Sequence, residues 1–292
     1  MPRFLCLHGH GTSAAIFKSQ TGMCAVPRRD VHVTHASAVA FRAKLGASFV
    51  FDFVDAPFRS APAPGVDVLF ESGNFTWWPK ATAQSIRAAH LWLDDYVEEH
   101  GAYDAVCCFS QGCALILSYM LYHAKERPDE PLPFKSAIFI CGAVPFAVLE
   151  DLGMPVSQKA KDINDRTGEA LRRKAGKLRE MAANLDKIPP GFGLWDDTAD
   201  LLHDPAQMPE RSDVFGLDFT KFPDDALVSI PTVHIYGSKD PRWPNSMHLA
   251  HFCSNKTMYD HGGGHEIPRS TEVSLRIAGL VRQVTQEAAA HH

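Results

Sequence analysis

The fold is best predicted from the segment Val106-Cys107-Cys108-Phe109-Ser110-Gln111-Gly112-Cys113-Ala114. An apolar run ends at Phe109, a polar turn follows, and a second apolar run of helical character begins at Cys113. This pattern predicts a strand, a sharp turn and a helix, with the Ser110 hydroxyl exposed at the apex as a nucleophile. Cys108 stands where the G-x-S-x-G pattern has its first glycine, and cysteine is small enough for that position.

Two later segments supply the partners that such a serine needs. Asp240 follows the apolar strand 231–236 and a glycine turn, and His265 lies in a glycine-rich loop before the last helical stretch. Serine, aspartate and histidine in this chain order are typical of a catalytic triad on an α/β-hydrolase sheet. The histidine takes the serine proton, and the carboxylate orients and stabilises the imidazole.

The loop His8-Gly-His-Gly-Thr-Ser13, hereafter the first loop, follows the first predicted strand. Its backbone can approach the nucleophile, so we expect the N–H groups of His10 and Gln111 to form an oxyanion hole. The alternatives are a plain strand-to-helix turn or a metal site at His8 and His10. No H-x-H-x-D-H pattern follows, so we predict no metal, and nothing in the sequence requires an organic cofactor.

Composition places the chain among ordinary globular proteins. It has 292 residues, of which 45% are hydrophobic and 22% charged, with a net charge of −5. The negative charge argues against nucleic-acid binding, and no apolar run is long enough to predict a membrane span. Seven cysteines without a C-x-x-C motif predict buried free thiols, and together with the absence of a signal peptide they predict a cytoplasmic protein.

Strands alternate with helices along the chain, which predicts an α/β fold with a mostly parallel, doubly wound sheet of about six strands. The predicted strands are 3–7, 48–55, 103–109, 136–142, 231–236 and 256–259. We expect one domain over 1–287, with residues 288–292 as a tag remnant outside the fold. Residues 143–229 form a long insertion that we interpret as a lid.

The lid contains a predicted helix over 159–185 with one basic face. Its cationic residues are Arg172, Arg173, Lys174, Lys177 and Arg179. The simpler interpretation is that this face is solvated. The more specific one is that the helix caps the active site and that its basic surface receives an acidic partner.

Aromatic residues precede the helix that begins near Thr82. Phe75, Trp77 and Trp78 lie in a proline-rich loop after a strand end, where they could line a substrate pocket or simply pack.

Several residues offer alternatives to the assignments above. Asp151 could replace Asp240 as the triad acid, and Cys108 or Cys113 could supply a thiol nucleophile, although neither cysteine lies at the turn apex. The simplest roles for other residues are surface charges for Lys239 and Arg242 and ordering of the glycine loop for His261.

Taken together, these motifs resemble the fungal serine hydrolase family (FSH), a branch of the α/β-hydrolases. The similar segments are Leu7–Ser13, Phe53–Pro57, Trp77-Trp78, Phe109–Gly112, Gly237–Asp240 and Gly262–Pro268. Residues 22–39 depart from the family pattern and are interpreted as a local insertion.

The resemblance implies a Ser110, Asp240 and His265 triad acting on an ester or thioester. The polyketide-pathway members are the most similar in pattern, which implies an acyl substrate released from, or edited on, the acyl carrier domain of a synthase. A general small-molecule carboxylesterase and a non-catalytic protein that only binds its ligand remain the alternatives.

Overall fold

The computed structural model describes residues 1–22, 40–70, 73–183, 193–223 and 227–290. Its main sheet has six strands in the order β2-β1-β5-β6-β7-β8, and every neighbouring pair is parallel. The strands are β1 (Arg3–Leu7), β2 (Val50–Val54), β5 (Ala105–Phe109), β6 (Ala137–Ile140), β7 (Thr232–Tyr236) and β8 (Lys256–Asp260). The predicted α/β class and six strands are confirmed, and no strand end differs from its predicted position by more than two residues.

Successive side chains of the central strands point to opposite faces of the sheet, where they join two separate hydrophobic cores. Leu5, Leu7, Val106 and Cys108 face one core, whereas the intervening residues of the same strands face the other. Both faces are therefore buried, as expected for a parallel sheet covered by helices on both sides.

Helices from different parts of the chain cover the two faces. The first core receives α4 (Ala83–His100), α5 (Gln111–Glu126) and α8 (Trp243–His251), and the second receives α1 (Ala14–Thr21), α2 (Phe41–Leu45) and α9 (Thr271–Ala290). Thr82 begins α4 as a side-chain N-cap, with its hydroxyl accepting the Ser85 N–H. This arrangement brings the loops after β1, β5, β7 and β8 to one edge of the sheet.

A small ribbon lies beside this edge and was not predicted. Its strands β3 (Phe58–Arg59) and β4 (Phe75–Thr76) pair antiparallel, and the short helix α3 (Val66–Leu69) lies between them. Strands of two residues are too short to show the alternation of apolar and polar residues by which strands are predicted from sequence. The helix α8 was also not predicted.

The segment 143–229 joins β6 to β7 and contains α6 (Phe146–Asp151) and the long helix α7 (Gln158–Ala183). Its interpretation as a lid stays a prediction. The predicted insertion at 22–39 lies, apart from Gly22, outside the described residues. None of the described helices combines the length and the apolar character that a membrane crossing requires.

The C-terminal boundary differs from the prediction. The helix α9 continues to Ala290, and Ala288 is buried, so residues 288–290 are part of the fold rather than excluded from it. Residues 291–292 lie outside the described part of the chain.

Candidate active site

Ser110 occupies a strained turn between β5 and α5. Its φ of 50° and ψ of −110° lie outside the regions that L-residues prefer. The Ser110 N–H donates to Ile140 O at 3.0 Å, which ties the turn to the end of β6. Only glycine fits at position 112, because a Cβ there would lie 2.4 Å from Leu7 O. The chain therefore makes a tight elbow at Ser110, the backbone geometry that is expected where a serine serves as nucleophile.

Ser110, His265 and Asp240 form a continuous hydrogen-bonded chain. His265 Nε2 lies 3.0 Å from Ser110 Oγ, and His265 Nδ1 lies 2.8 Å from Asp240 Oδ2. The second carboxylate oxygen, Oδ1, accepts the Arg242 N–H at 2.7 Å. Both oxygens of this fully buried carboxylate are therefore oriented, and the Phe109 ring packs 5.3 Å from the imidazole.

The alternative nucleophiles and acid lie elsewhere. Cys108 and Cys113 are fully buried, and burial raises the pKa of both thiols well above the usual value, which disfavours the reactive thiolate. Asp151 accepts the Tyr122 hydroxyl at 2.7 Å and lies 3.5 Å from Arg87. The structure thus brings His265 to Ser110 and Asp240, and to none of these three alternatives.

The first loop is fixed by its own histidine. His8 is buried, its Nε2 accepts the Ala56 N–H at 3.0 Å, and its Nδ1 donates to Gly9 O at 2.7 Å. Burial lowers the pKa of His8, so the ring is neutral and both of its nitrogens are engaged. This leaves no ring nitrogen of His8 for a metal. Within the described ranges, the grouping of potential metal-binding side chains is Cys141, Asp240 and His265, which includes neither His8 nor His10.

His10 and Gln111 belong to two loops that approach each other at Ser110, where a Cβ on Gly9 would lie 3.3 Å from the Ser110 Cβ. Gln111 is the first residue of α5, whose N-terminal N–H groups have no helical acceptor, and His10 lies at the centre of the first loop. The loop is held to β4 by Gly11 N–H to Phe75 O at 2.9 Å and by Phe75 N–H to Thr12 O at 2.8 Å. Two N–H groups from separate loops are what an oxyanion hole requires.

The predicted aromatic pocket is not formed by the two tryptophans. Trp77 is fully buried, and its indole N–H donates to His8 O at 2.8 Å, while Trp78 is 6% exposed. Trp77 therefore packs beneath the first loop, where its ring lies 5.3 Å from that of His8. Phe75 is half-buried; its backbone forms hydrogen bonds with the first loop, and its ring lies 6.5 Å from that of His8. Packing, the other interpretation of these residues, is the one that the structure favours.

The turn Gly237–Arg242, hereafter the acid turn, contacts the 143–229 segment through Arg242. This residue was predicted as a surface charge, but its guanidinium donates to Asn164 O at 2.7 Å, Asn164 Oδ1 at 3.1 Å and Thr167 Oγ1 at 3.2 Å. Burial lowers the pKa of Arg242 to about 10. The side chain therefore anchors α7 to the residues that carry Asp240. A single arginine in a turn gives no sequence signal for this role.

The loop His261–Pro268, hereafter the histidine loop, contacts the same segment. Trp195 Nε1–H donates to Glu266 at 3.0 Å, and the indole packs so closely on Gly264 that a Cβ there would lie 1.9 Å from its ring. Lys239 forms an ion pair with Asp196 at 2.8 Å, so the second predicted surface charge is half-exposed and paired. His261 Nδ1 accepts the Gly263 N–H, in agreement with its predicted role in ordering the loop.

Three of the cations on the basic face of α7 pair with groups of the same segment. Lys174 is buried and contacts the Asp197 carbonyl and the Asp200 carboxylate. Arg173 pairs with Asp200 at 3.3 Å and Lys177 with Asp197 at 3.2 Å. Three of the five predicted cations therefore hold the following loop against the helix instead of facing a partner.

Comparison with known proteins agrees with these features. The profile described as "Serine hydrolase (FSH1)" matches residues 1–277. Esterase FPY3 of Fusarium mangiferae is 25% identical over 290 residues, covering 98% of each chain. Hydrolase FUB4 of Fusarium oxysporum f. sp. lycopersici is 24% identical over 292 residues, covering 96% of this chain and 97% of its own.

Among solved structures, the RedJ thioesterase from the prodiginine biosynthetic pathway in Streptomyces coelicolor has a TM-score of 0.49 at 15% identity, over 96% of this chain and 90% of its own. A similarity at that level does not bear on function. The profile match over nearly the whole chain shows that this protein belongs to the FSH1 serine hydrolase family and is a hydrolase.

Proposed function

We propose that the protein cleaves an ester or thioester by a two-step acyl transfer, with Ser110 as nucleophile, His265 as base and Asp240 as the orienting acid. The observation that carries this proposal is the continuous hydrogen-bonded chain of these three side chains, with contacts of 3.0 and 2.8 Å. Their order along the chain and the strained elbow add independent support.

In the first step, the Ser110 proton moves from Oγ to His265 Nε2 as Oγ bonds to the substrate carbonyl carbon. Asp240 holds the imidazole with its proton on Nδ1 and stabilises the imidazolium that forms. The carbonyl oxygen becomes an oxyanion, which accepts hydrogen bonds from the backbone N–H groups of Gln111 and His10. The N-terminus of α5 adds a favourable dipole at the same place.

In the second half of that step, the bond between the acyl carbon and the leaving alcohol or thiol breaks, and His265 Nε2 returns its proton to the leaving group. Water then repeats the sequence on the acyl-enzyme. His265 Nε2 takes a proton from the water as the water oxygen bonds to the acyl carbon. The bond from that carbon to Ser110 Oγ then breaks, His265 returns the proton to Oγ, and the carboxylic acid departs.

The substrate proposal is an acyl chain of polyketide origin, carried as a thioester on an acyl carrier domain. It rests on the resemblance of the motifs, and the pairing of three cations of α7 within their own segment offers little support for an acidic docking partner. A general small-molecule carboxylesterase is the second candidate, favoured by the similarity to esterases such as FPY3. A cytoplasmic location fits the six free, buried cysteines among the described residues.

The test of the mechanism is intact-protein mass after treatment with a fluorophosphonate, on wild type and Ser110→Ala. We expect one adduct on wild type, none on the variant, and a loss of hydrolysis of at least about 10³-fold. Activity that survives in Ser110→Ala would exclude the covalent mechanism. An absence of hydrolysis in wild type, with ligand binding retained, would favour the non-catalytic alternative.

The substrate class is tested with one acyl group presented in three forms: an ethyl ester, an N-acetylcysteamine thioester and a thioester on an excised carrier domain. A kcat/KM that rises at least about 10-fold from the small thioester to the carrier-bound one would support carrier recognition. Equal values for the three forms would favour the general carboxylesterase.

A further inference from the structure

Thr76 lies at the point where the two proposed oxyanion-hole loops meet β4. Its side chain is 3% exposed, and its hydroxyl oxygen has three polar neighbours. These are His10 Nδ1 at 3.0 Å, Gln111 Oε1 at 3.0 Å and Trp78 O at 2.9 Å. One buried hydroxyl therefore contacts the side chains of both residues whose backbone N–H groups would bind the oxyanion.

The number of protons available assigns the direction of these hydrogen bonds. A threonine hydroxyl donates one hydrogen bond and accepts two. The Trp78 carbonyl only accepts, and Gln111 Oε1 is fixed as an acceptor because it also receives the Trp77 N–H at 3.2 Å. The Thr76 proton is shared by these two acceptors, so His10 must supply its own proton from Nδ1. Burial lowers the pKa of His10, in keeping with a neutral ring that carries this proton.

We propose that Thr76 is a positioning residue that sets the spacing between the His10 and Gln111 backbone N–H groups. The proposal rests on the proposed function, since it assigns a role within that oxyanion hole. Thr76 does not contact the reacting atoms in this account, and it acts through the two residues that it holds.

The physical reason is that the two N–H donors belong to different loops. His10 follows β1 and Gln111 follows β5, so no short covalent path fixes their separation. An oxyanion hole requires both donors within about 2.7–3.1 Å of the same oxygen. A misplacement of about 1 Å can lower the rate by about 10². A shared bond to a buried side chain is a direct way to maintain that separation.

Backbone hydrogen bonds in and next to β4 connect the same two loops. Phe75, the residue before Thr76, exchanges hydrogen bonds with the first loop, and the Trp77 N–H, the next along the chain, donates to the Gln111 side chain. Three consecutive residues, the two of β4 and Trp77, therefore hold both halves of the proposed hole. Of these three residues, Thr76 is the one whose side chain contacts both His10 and Gln111.

The experiment compares Thr76→Val, Thr76→Ser and the control Thr285→Val on the best ester substrate. Valine keeps the volume and removes all three hydrogen bonds, whereas serine keeps the hydroxyl. Thr285 is also a buried threonine, but its hydroxyl donates to Val281 O within α9, away from the site. Thermal unfolding of each variant measures the stability effect separately.

We expect Thr76→Val to lower kcat about 10-fold with KM nearly unchanged, since the donors act on the oxyanion of the transition state. Thr76→Ser should retain at least about half of the wild-type kcat, and Thr285→Val should lose stability without losing kcat. An unchanged kcat in Thr76→Val, or an equal loss in Thr285→Val, would overturn the proposal.

A second variant keeps the test decisive if Thr76→Val does not fold. Gln111→Met removes the amide acceptor and leaves Thr76 in place, so we expect a similar loss of kcat. An unchanged kcat in Gln111→Met would overturn the proposal by itself. Where Thr76→Val also folds, the two losses should be far from additive in the double variant, because both break the same contact. Fully additive losses would overturn the proposal.

Fluorophosphonate labelling of Ser110 separates this proposal from the proposed function. Wild type that fails to label at Ser110 contradicts the proposed function itself. Wild type that labels, together with a Thr76→Val variant of normal kcat, contradicts only the role of Thr76.

Discussion

The two sides of the proposed active site are held in different ways. On the oxyanion side, the first loop and the elbow are fixed by β4 through backbone hydrogen bonds and buried side chains such as Thr76 and Trp77. On the acid side, the acid turn and the histidine loop are contacted by side chains of the 143–229 segment, including Trp195 and Asp196.

This difference predicts how the site responds to perturbation. The oxyanion side belongs to the core, so changes there should affect folding and the transition state together. The acid side depends on contacts with a segment inserted between two strands, so changes in that segment should alter the positions of Asp240 and His265 first. Substitutions at four positions, with one matched control, test the contrast, beginning with the largest expected effect.

On the acid side, Gly237 packs directly against the backbone of the histidine loop. A Cβ at position 237 would lie 2.1 Å from the Gly263 carbonyl oxygen, which is backbone and cannot rotate away. We expect Gly237→Ala to separate Asp240 from His265 and to lower kcat about 10². Steady-state kinetics on a chromogenic ester measures the loss.

Gly279→Ala is the matched control. Position 279 is exposed in α9, and a Cβ there would meet no heavy atom of the described residues within 4 Å. This variant should keep full activity and gain up to about 1 kcal/mol in the free energy of unfolding, because alanine favours helix. Equal kinetics in the two variants would show that the acid turn and histidine loop are not interlocked.

Arg242→Met tests the anchor between α7 and the acid turn. The change leaves the Asn164 carbonyl and amide oxygens without their charged donor while retaining an apolar side chain. We expect kcat to fall about 10-fold, the free energy of unfolding to fall by about 1–3 kcal/mol, and amide exchange in α7 to accelerate.

Arg242→Lys sharpens the same test, since lysine keeps the charge but lacks the planar fork that bonds Asn164 at two atoms. It should behave more like Arg242→Met than like wild type. If α7 exchange and kcat are both unchanged in Arg242→Met, the acid side does not depend on this contact.

Acidification should weaken the acid side through His248 in α8. Burial lowers the pKa of His248 from 6.5 to about 4. The folded protein therefore holds this ring neutral at pH values where the unfolded chain protonates it. Its contribution to stability is complete above pH 6.5 and is lost as pH falls from 6.5 toward 4.

His248→Gln should flatten the pH dependence of the free energy of unfolding in that window, by up to about 1.4 kcal/mol per pH unit. Urea unfolding at a series of pH values measures the slope. A slope identical to that of wild type would mean that His248 does not titrate on unfolding.

Lys239→Gln should have the smallest effect. The ion pair with Asp196 joins two side chains that are each about 40% exposed, so solvent screens it. We expect kcat within about twofold of wild type and a change in the free energy of unfolding of no more than about 0.5 kcal/mol. A larger effect on kcat, suppressed by 1 M salt, would show that this pair does hold the acid turn.

Much of the architecture could be predicted because its signals are local. Most of the sheet strands are apolar runs, and Ser110, Asp240 and His265 each follow a predicted strand in a glycine-containing turn. Residues that act through distant partners could not be found in this way. Arg242 looks like a surface charge because Asn164 and Thr167 are more than 70 residues away along the chain.

The aromatic residues show a related limit: their pattern suggested a functional role that depends on which surface they cover in the folded chain. Trp77 and Trp78 could equally line a pocket or fill the core, since sequence alone does not tell which surface a short loop covers. The deciding contact is the hydrogen bond from the Trp77 indole to the backbone of His8, 69 residues earlier. Thr76 carries no motif at all, and its importance rests on three partners brought together only in the folded chain.

The buried cysteines of the central sheet can report how readily each strand opens to solvent. Cys6 lies in β1, Cys107 and Cys108 in β5, and Cys141 directly after β6, and each is buried and free. A thiol-specific reagent can modify such a residue only when its strand opens to solvent, so the modification rate at each position reports a local opening free energy. Mass-resolved alkylation over time would therefore rank the strands by their opening without any engineered label.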